Sequence, residues 1–128
     1  MSQYTNSPCK GFTAGGAIGK FLRVVLSTGK LAVAGIANKD IGTTENAAFA
    51  DGDNVTVRLR TAQGSHKVIA ATDVAAGATV YTAAAGKVSK SKGSGAFAYG
   101  TALEAAATNG DVIEVERNSH GDTAGSAQ

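Results

Sequence analysis

Residue types that often carry structure or chemistry are scarce in this 128-residue chain, which has no Trp, one Cys, one Pro and two His. A single cysteine cannot form an internal disulfide, so covalent cross-linking within the chain is excluded. No apolar run approaches the roughly 20 residues that a membrane-spanning helix needs. Residues 1–6 have neither the basic nor the apolar part of a signal peptide, so we expect synthesis in a cytoplasm.

Charge of one sign is also lacking, because 12 basic and 10 acidic residues leave a net charge of +2. That balance argues against a nucleic-acid binder that relies on neutralising phosphates.

The residue types that are abundant are Ala and Gly, with 25 and 17 residues. Cores built from such small side chains are thin, which suits small barrels and sandwiches better than helical layers. We therefore predict an all-β fold, a small β-barrel-like or sandwich domain.

Composition divides the chain into three parts. Residues 1–20 are rich in Gly, Ser, Thr and Asn, and predict an extended N-terminal arm. Pro8 favours extended geometry there, and Tyr4 and Phe12 are its candidate anchors. A frayed terminus is the alternative. Residues 21–117 are the β domain, and the polar residues 118–128 predict a disordered tail.

Apolar and polar residues alternate most clearly at residues 54–60, where Val55, Val57 and Leu59 share one face. Further strands are predicted at 21–26, 31–34, 66–71, 79–82, 86–88, 96–103 and 112–117, with a loop at 38–46. Residues 101–108 could instead be a short helix. We favour a strand running into a loop, because isolated helices of this length are marginal.

A short sequence pattern that precedes a strand occurs twice in the chain. The Gly-Lys pairs at positions 29 and 86 lie 57 residues apart, and the Gly-Asp pairs at 52 and 110 lie 58 apart. Each Gly-Asp pair follows a turn-forming residue and starts an alternating strand. The spacing predicts two pseudo-repeated halves, about 21–60 and 78–117. Chance self-similarity of a Gly-rich β protein is the alternative.

The sequence contains no set of residues that is typical of a catalytic site. His66 begins a strand and is expected at the surface, His120 lies in the tail, and Cys9 has no histidine near it in sequence. A nucleophile needs a base held within hydrogen-bond reach, and zinc usually takes four ligands. Residues 14–21 fail as a phosphate loop, because Ala14 and Phe21 occupy its essential glycine and hydroxyl positions. We expect no enzyme activity, cofactor or metal.

Two groups of cations are candidate contacts. Arg58 and Arg60 lie on the outward face of the clearest strand, and Lys90 and Lys92 lie in a Ser/Lys/Gly loop. A solvated loop is the alternative for the lysines. Together with the arm, these groups give the predicted protein-contact residues Tyr4, Pro8, Phe12, Arg58, Arg60, Lys90 and Lys92.

Four short motifs carry a family resemblance. They are Ala-Ala-Gly-Ala-Thr-Val-Tyr at 75–81, Gly-Lys-Val at 86–88, Tyr-Gly-Thr-Ala-Leu-Glu-Ala-Ala at 99–106, and Gly-Asp with a closing strand from 110. Over residues 14–117 the chain resembles the capsid decoration, or cement, proteins of tailed bacteriophages. Tyr99 departs from the aliphatic residue preferred there, and the loop at 89–95 is longer.

The resemblance implies a β domain on the outer surface of an icosahedral head, between major capsid protein subunits, where it stabilises the shell. It also implies self-association, with a trimer favoured and a dimer possible, and a virion location without direct nucleic-acid or membrane contact. Attachment at many equivalent sites would give avidity. The alternative function is a generic ligand- or carbohydrate-binding β module, which seven aromatic residues without Trp disfavour.

Overall fold

Two antiparallel five-stranded sheets contain the strands of the computed structural model, which describes residues 9–61 and 64–117. The first sheet comprises β1 (Cys9–Thr13), β2 (Arg23–Ser27), β3 (Lys30–Val33), β4 (Gly42–Thr44) and β5 (Asn54–Leu59). The second comprises β6 (Ser65–Ile69), β7 (Thr79–Thr82), β8 (Val88–Ser89), β9 (Ala98–Ala102) and β10 (Val112–Arg117). The helical content of the described residues is one 3₁₀ turn, Ala84–Gly86. The chain is thus an all-β protein, as predicted.

Both sheets have the same strand order. It is β1-β5-β4-β2-β3 in the first and β6-β10-β9-β7-β8 in the second, so each strand has a counterpart five strands later. The two Gly-Asp signatures precede β5 and β10, which are counterparts. The repeating unit is longer than the sequence indicated, because the predicted halves 21–60 and 78–117 omit the edge strands β1 and β6.

The predicted N-terminal arm is wrong for residues 9–20. β1 pairs with β5 from Cys9 opposite Arg58 to Thr13 opposite Asn54. Ala14 and Ile18, which follow β1, are buried in the core of the first sheet. The partner strand lies more than forty residues away, so composition alone did not indicate the pairing. Residues 1–8 and 118–128, predicted as arm and tail, lie outside the described residues.

Two local predictions have opposite outcomes. The loop predicted at 38–46 contains β4, which pairs with both β2 and β5. Its three residues, Gly-Thr-Thr, carry no apolar alternation that would predict a strand. The prediction of a strand running into a loop at 101–108, in preference to a short helix, is confirmed, because β9 ends at Ala102 and irregular structure follows it.

Each sheet has its own apolar core. Val24, Val55 and Val57 are among the buried residues of the first cluster, and Val68 and Ile113 are in the second. Neither cluster contains a residue of the other sheet. The small Val and Ala side chains match the thin core that composition predicted.

The two sheets are curled, because single parallel bridges bring their edge strands together. Ala14 bridges to Leu31 in the first sheet, and Ala70 bridges to Val88 in the second. One bridge is not a ladder, so the barrel-like alternative is not found in the described residues. The described residues thus form two curled antiparallel sheets, an all-β arrangement consistent with the predicted sandwich class.

Equivalent carboxylates hold the turns that precede β5 and β10. Asp53 accepts hydrogen bonds from the backbone N–H groups of residues 49 and 50, and Asp111 from those of residues 107 and 108. Gly52 and Gly110 precede them with φ of 96° and 100°, a region that disfavours side chains. These aspartates therefore stabilise the backbone of the two turns.

The middle strands approach their neighbours closely at equivalent glycines. A Cβ atom at Gly42 would overlap the carbonyl oxygen of Arg58, and one at Gly100 would overlap that of Glu116. Both glycines are buried, 58 residues apart. The same close approach therefore recurs at the same place in both sheets.

Candidate functional site

The predicted arm residues do not form a contact surface in the described part of the chain. Phe12 is partly buried in β1 and packs against the first core cluster. It is therefore a packing residue and not the anchor of a free arm, which corrects its predicted role. Tyr4 and Pro8 lie outside the described residues.

The predicted cations lie at different places. Arg58 is partly buried, and its Nε donates to the carbonyl oxygen of Ser65, the first residue of the second sheet. Arg60 is partly buried just after β5. Lys92 is exposed, whereas Lys90 pairs with Asp73, its Nζ lying 3.0 Å from the carboxylate. The Lys90 hydrogen bond lowers the pKa of Asp73. The structure does not bring these four cations together into one patch.

A buried polar layer joins the sheets, and we call this boundary the seam. Arg23 of β2 is fully buried, and its guanidinium donates to carbonyl oxygens of both halves. Its Nε lies 3.0 Å from the oxygen of Lys87, and its Nη2 lies 3.1 Å from that of Gly35 and also binds that of Ala83. Burial lowers the pKa of Arg23, and the nearby Asp40 carboxylate opposes that effect.

An ion pair crosses the seam beside Arg23. Arg117 of β10 binds Asp40 through two nitrogens, with N–O distances of 3.1 and 3.3 Å, and both side chains are buried. The Arg117 guanidinium also lies 3.8 Å from the ring centroid of Tyr99, a cation–π contact. Burial raises the pKa of the Tyr99 phenol above its ordinary value, so this phenol stays neutral.

Sequence reasoning missed this layer, although one sign was present. Arg23 stands within the apolar run Phe-Leu-Arg-Val-Val-Leu, and a charge inside such a strand indicates a buried, paired group.

The expectation that His66 is a surface residue is also wrong. His66 is buried at the seam, with Nε2 2.9 Å from the carbonyl oxygen of Leu59. Burial lowers its pKa from the usual 6.5.

Phe21 has an unusual backbone for its residue type. Its φ is 61°, in the left-handed region where a bulky residue costs of order 1–3 kcal/mol. Its N–H donates to the oxygen of Thr44, and its carbonyl accepts from Ile69 of the second sheet. Gly77 occupies the equivalent position in the second half, with φ of 88° and its N–H donating to Ala102.

The aromatic ring of Phe21 lies in a cleft of about 280 Å³ at the seam, which we call the seam cleft. Lys20 and Lys67 hold their Nζ atoms 4.8 and 5.9 Å from the ring centroid. The cleft is lined by Lys20, Phe21, Glu45, Arg58, Ser65 and Lys67. Two lysines thus flank the Phe21 ring, and Arg58 and Glu45 also line the cleft.

A second, larger cleft of about 450 Å³ lies between residues 15–18 and β3, and we call it the edge groove. In the second half the equivalent edge is closed, because Thr72 Oγ1 accepts the Lys90 N–H and Asp73 pairs with the Lys90 ammonium. Residues 16 and 17 of the first half are Gly and Ala, which lack those polar side chains. The groove in the first half is therefore open beside β3, although the Gly15 N–H donates to the Leu31 carbonyl oxygen and Lys30 pairs with Asp51 along its lining.

No group of three or more His, Cys, Asp or Glu side chains in residues 9–61 and 64–117 could hold a metal ion. Within the same residues, no helix is long and apolar enough to cross a membrane. The described surface offers a cationic cleft and a groove beside a sheet edge.

The fold and its surfaces define a small all-β protein made of two like sheets. No protein-family model and no curated protein matches the chain. Among solved structures it is similar to the N base of the head fiber gp8.5 in bacteriophage phi29, with a TM-score of 0.70 and 18% sequence identity. The alignment covers 86% of this chain and 94% of that one. At this identity the similarity establishes a shared fold.

Proposed function

We propose that this protein is a structural component of a bacteriophage virion, attached to the head. The observation that carries the proposal is the fold shared with the phi29 head fiber base over nearly the whole of both chains. The resemblance of residues 14–117 to phage decoration proteins supports the same assignment through different observations. The two lines agree on a phage head, one from backbone geometry and the other from short motifs.

The finer proposal is a decoration role. The protein binds the outer surface of the icosahedral head between major capsid protein subunits, and it stabilises the shell without catalysis. Self-association into a trimer, with a dimer as alternative, belongs to this proposal and rests on the family resemblance. The seam cleft and the edge groove supply the surfaces for such contacts, since one offers charge and the other offers a sheet edge.

A second candidate is the base of a head fiber, and the phi29 neighbour favours it. That protein is described as a fiber base, and this chain covers 94% of it. In that role the domain would still bind the head, but it would carry a projecting fiber instead of reinforcing the shell. The two candidates differ in what projects from the head, which electron microscopy of virions distinguishes.

Co-sedimentation with heads of the same phage that lack this protein tests the proposal. We expect saturable binding with a fixed number of copies per head, and heads that withstand higher temperature when loaded. Saturable binding without added thermal resistance favours the fiber base over the decoration role. Absence of binding at every salt concentration between 20 and 500 mM contradicts both.

A further inference from the structure

The fold does not require the aromatic side chain of Phe21 in the seam cleft. Phe21 adopts a left-handed backbone conformation that its counterpart Gly77 adopts without steric cost. The two positions make the same backbone hydrogen bond to the middle strand of their sheets, to Thr44 and to Ala102. The fold therefore accepts glycine at this position, and a phenylalanine there places an aromatic ring in the cleft at the expense of backbone strain.

The surroundings of the ring indicate the chemistry of a partner. The ammonium groups of Lys20 and Lys67 flank the Phe21 ring, and both lysines are exposed. Arg58 adds a third cation, whereas Glu45 is the carboxylate that lines the cleft. Glu114 is the cross-strand neighbour of Lys67, and its carboxylate accepts a hydrogen bond from the Ser65 hydroxyl. Positive charge around an apolar platform complements a segment that combines carboxylates with an apolar side chain.

We propose that the seam cleft binds an acidic, extended segment of the partner protein. Carboxylates of that segment lie beside the exposed ammonium groups of Lys20 and Lys67, and an apolar side chain rests on the Phe21 ring. The inference rests on the proposed function, because it assigns the partner segment as part of the phage head. A nucleic acid is the weaker fit, since three cations beside a carboxylate neutralise few phosphates and the net charge of the chain is only +2.

The first test uses a fluorescent hexaglutamate peptide ending in Leu, with an oligothymidine strand of equal charge as comparison. We expect the purified protein to bind the peptide at low salt and more weakly at 300 mM, because exposed charges are screened. Lys20→Gln combined with Lys67→Gln should weaken peptide binding about tenfold. The control is Lys39→Gln, which removes a similar cation–π contact to Phe97 at 5.2 Å and should leave binding unchanged. Tighter binding of the oligothymidine, lost in the same double variant, overturns the proposal.

Phe21→Gly separates binding from folding. It removes the ring and relieves the left-handed strain, so the variant should fold and unfold at a higher temperature than Phe21→Ala, which keeps the strain. Both variants should bind the peptide and the heads several-fold more weakly than the parent chain. A Phe21→Gly protein that folds and binds both as tightly as the parent overturns the proposal.

Binding of the chain to heads and to the peptide tests the virion function and the cleft assignment separately. If the parent chain binds the peptide but no heads, the proposed virion function fails and the acidic specificity of the cleft stands. If the parent chain binds heads and the cleft variants bind them equally well, the virion function stands and the cleft assignment fails.

Discussion

Individual buried charges set the stability of the seam. Asp40 is the carboxylate that Arg117 binds, and it also lies close enough to Arg23 to oppose the effect of burial on that guanidinium. Removing one partner of a buried ion pair leaves the other charge without water or counter-charge. The buried carboxylate should therefore matter far more than an exposed one.

Asp40→Asn should lower the free energy of unfolding by about 3–5 kcal/mol, because it leaves two buried guanidinium groups without their carboxylate. Urea denaturation measures the change. Asp73→Asn is the matched control, since it breaks an exposed pair with Lys90 and should cost no more than about 1 kcal/mol. Equal effects of the two substitutions would show that the seam ion pair is not a structural requirement.

His66 makes stability depend on pH. Burial lowers its pKa in the folded protein below the 6.5 of the unfolded chain, so the unfolded chain binds the proton more readily. The stability from neutral His66 is fully present above 6.5 and declines as the pH falls from 6.5 towards the folded-state pKa. Thermal unfolding between pH 7.5 and 5 should show this decline. His66→Gln should flatten it, and an unchanged slope would contradict the assignment.

Predictions for single residues failed where segments that are distant in sequence pack around the side chain. His66 looked exposed because it follows a turn, yet its ring nitrogen contacts the carbonyl oxygen of Leu59 in the other half, and Arg117 of β10 is close enough to affect its pKa. Phe12 looked like an arm anchor because its neighbours are Gly, Ser and Thr, which hide a short edge strand. Both environments depend on pairings that no local pattern encodes.

At the scale of strands, the backbone of a neighbouring strand leaves no room for a side chain at one glycine in each middle strand. Gly100→Ala should destabilise the protein by about 1–3 kcal/mol, because the added methyl group overlaps the backbone of Glu116. Gly42→Ala should do the same beside Arg58. Chemical denaturation measures both. Gly11→Ala is the control, since a Cβ atom there meets nothing within 4 Å, and a comparable loss in that variant would refute the steric explanation.

Strands that alternate were predicted well, and strands that do not were missed. β5 and β10 were both identified, because buried Val and Ile residues alternate with polar ones along them. β4 was missed, because its Gly-Thr-Thr sequence owes its burial to strands on both sides. The spacing of the repeat was visible from the two Gly-Asp turns, whereas the edge strands β1 and β6 share little sequence and were left out of it.

At the scale of the whole molecule, two similar sheets with separate apolar cores are joined through hydrogen bonds and the Asp40–Arg117 ion pair. This arrangement places the seam cleft where the halves meet, so a surface absent from either sheet alone is created by their union. The all-β class could be predicted from Ala and Gly content. The cleft could not, because its residues come from four separate segments of the chain.

The most direct measurement for the central claim is cryo-electron microscopy of phage heads that lack this protein, imaged with and without the purified chain. The account predicts additional density at equivalent positions on the outer head surface, into which the two sheets fit, and weaker density with the cleft variants at protein concentrations below saturation. A head surface that is identical with and without saturating protein would contradict the account.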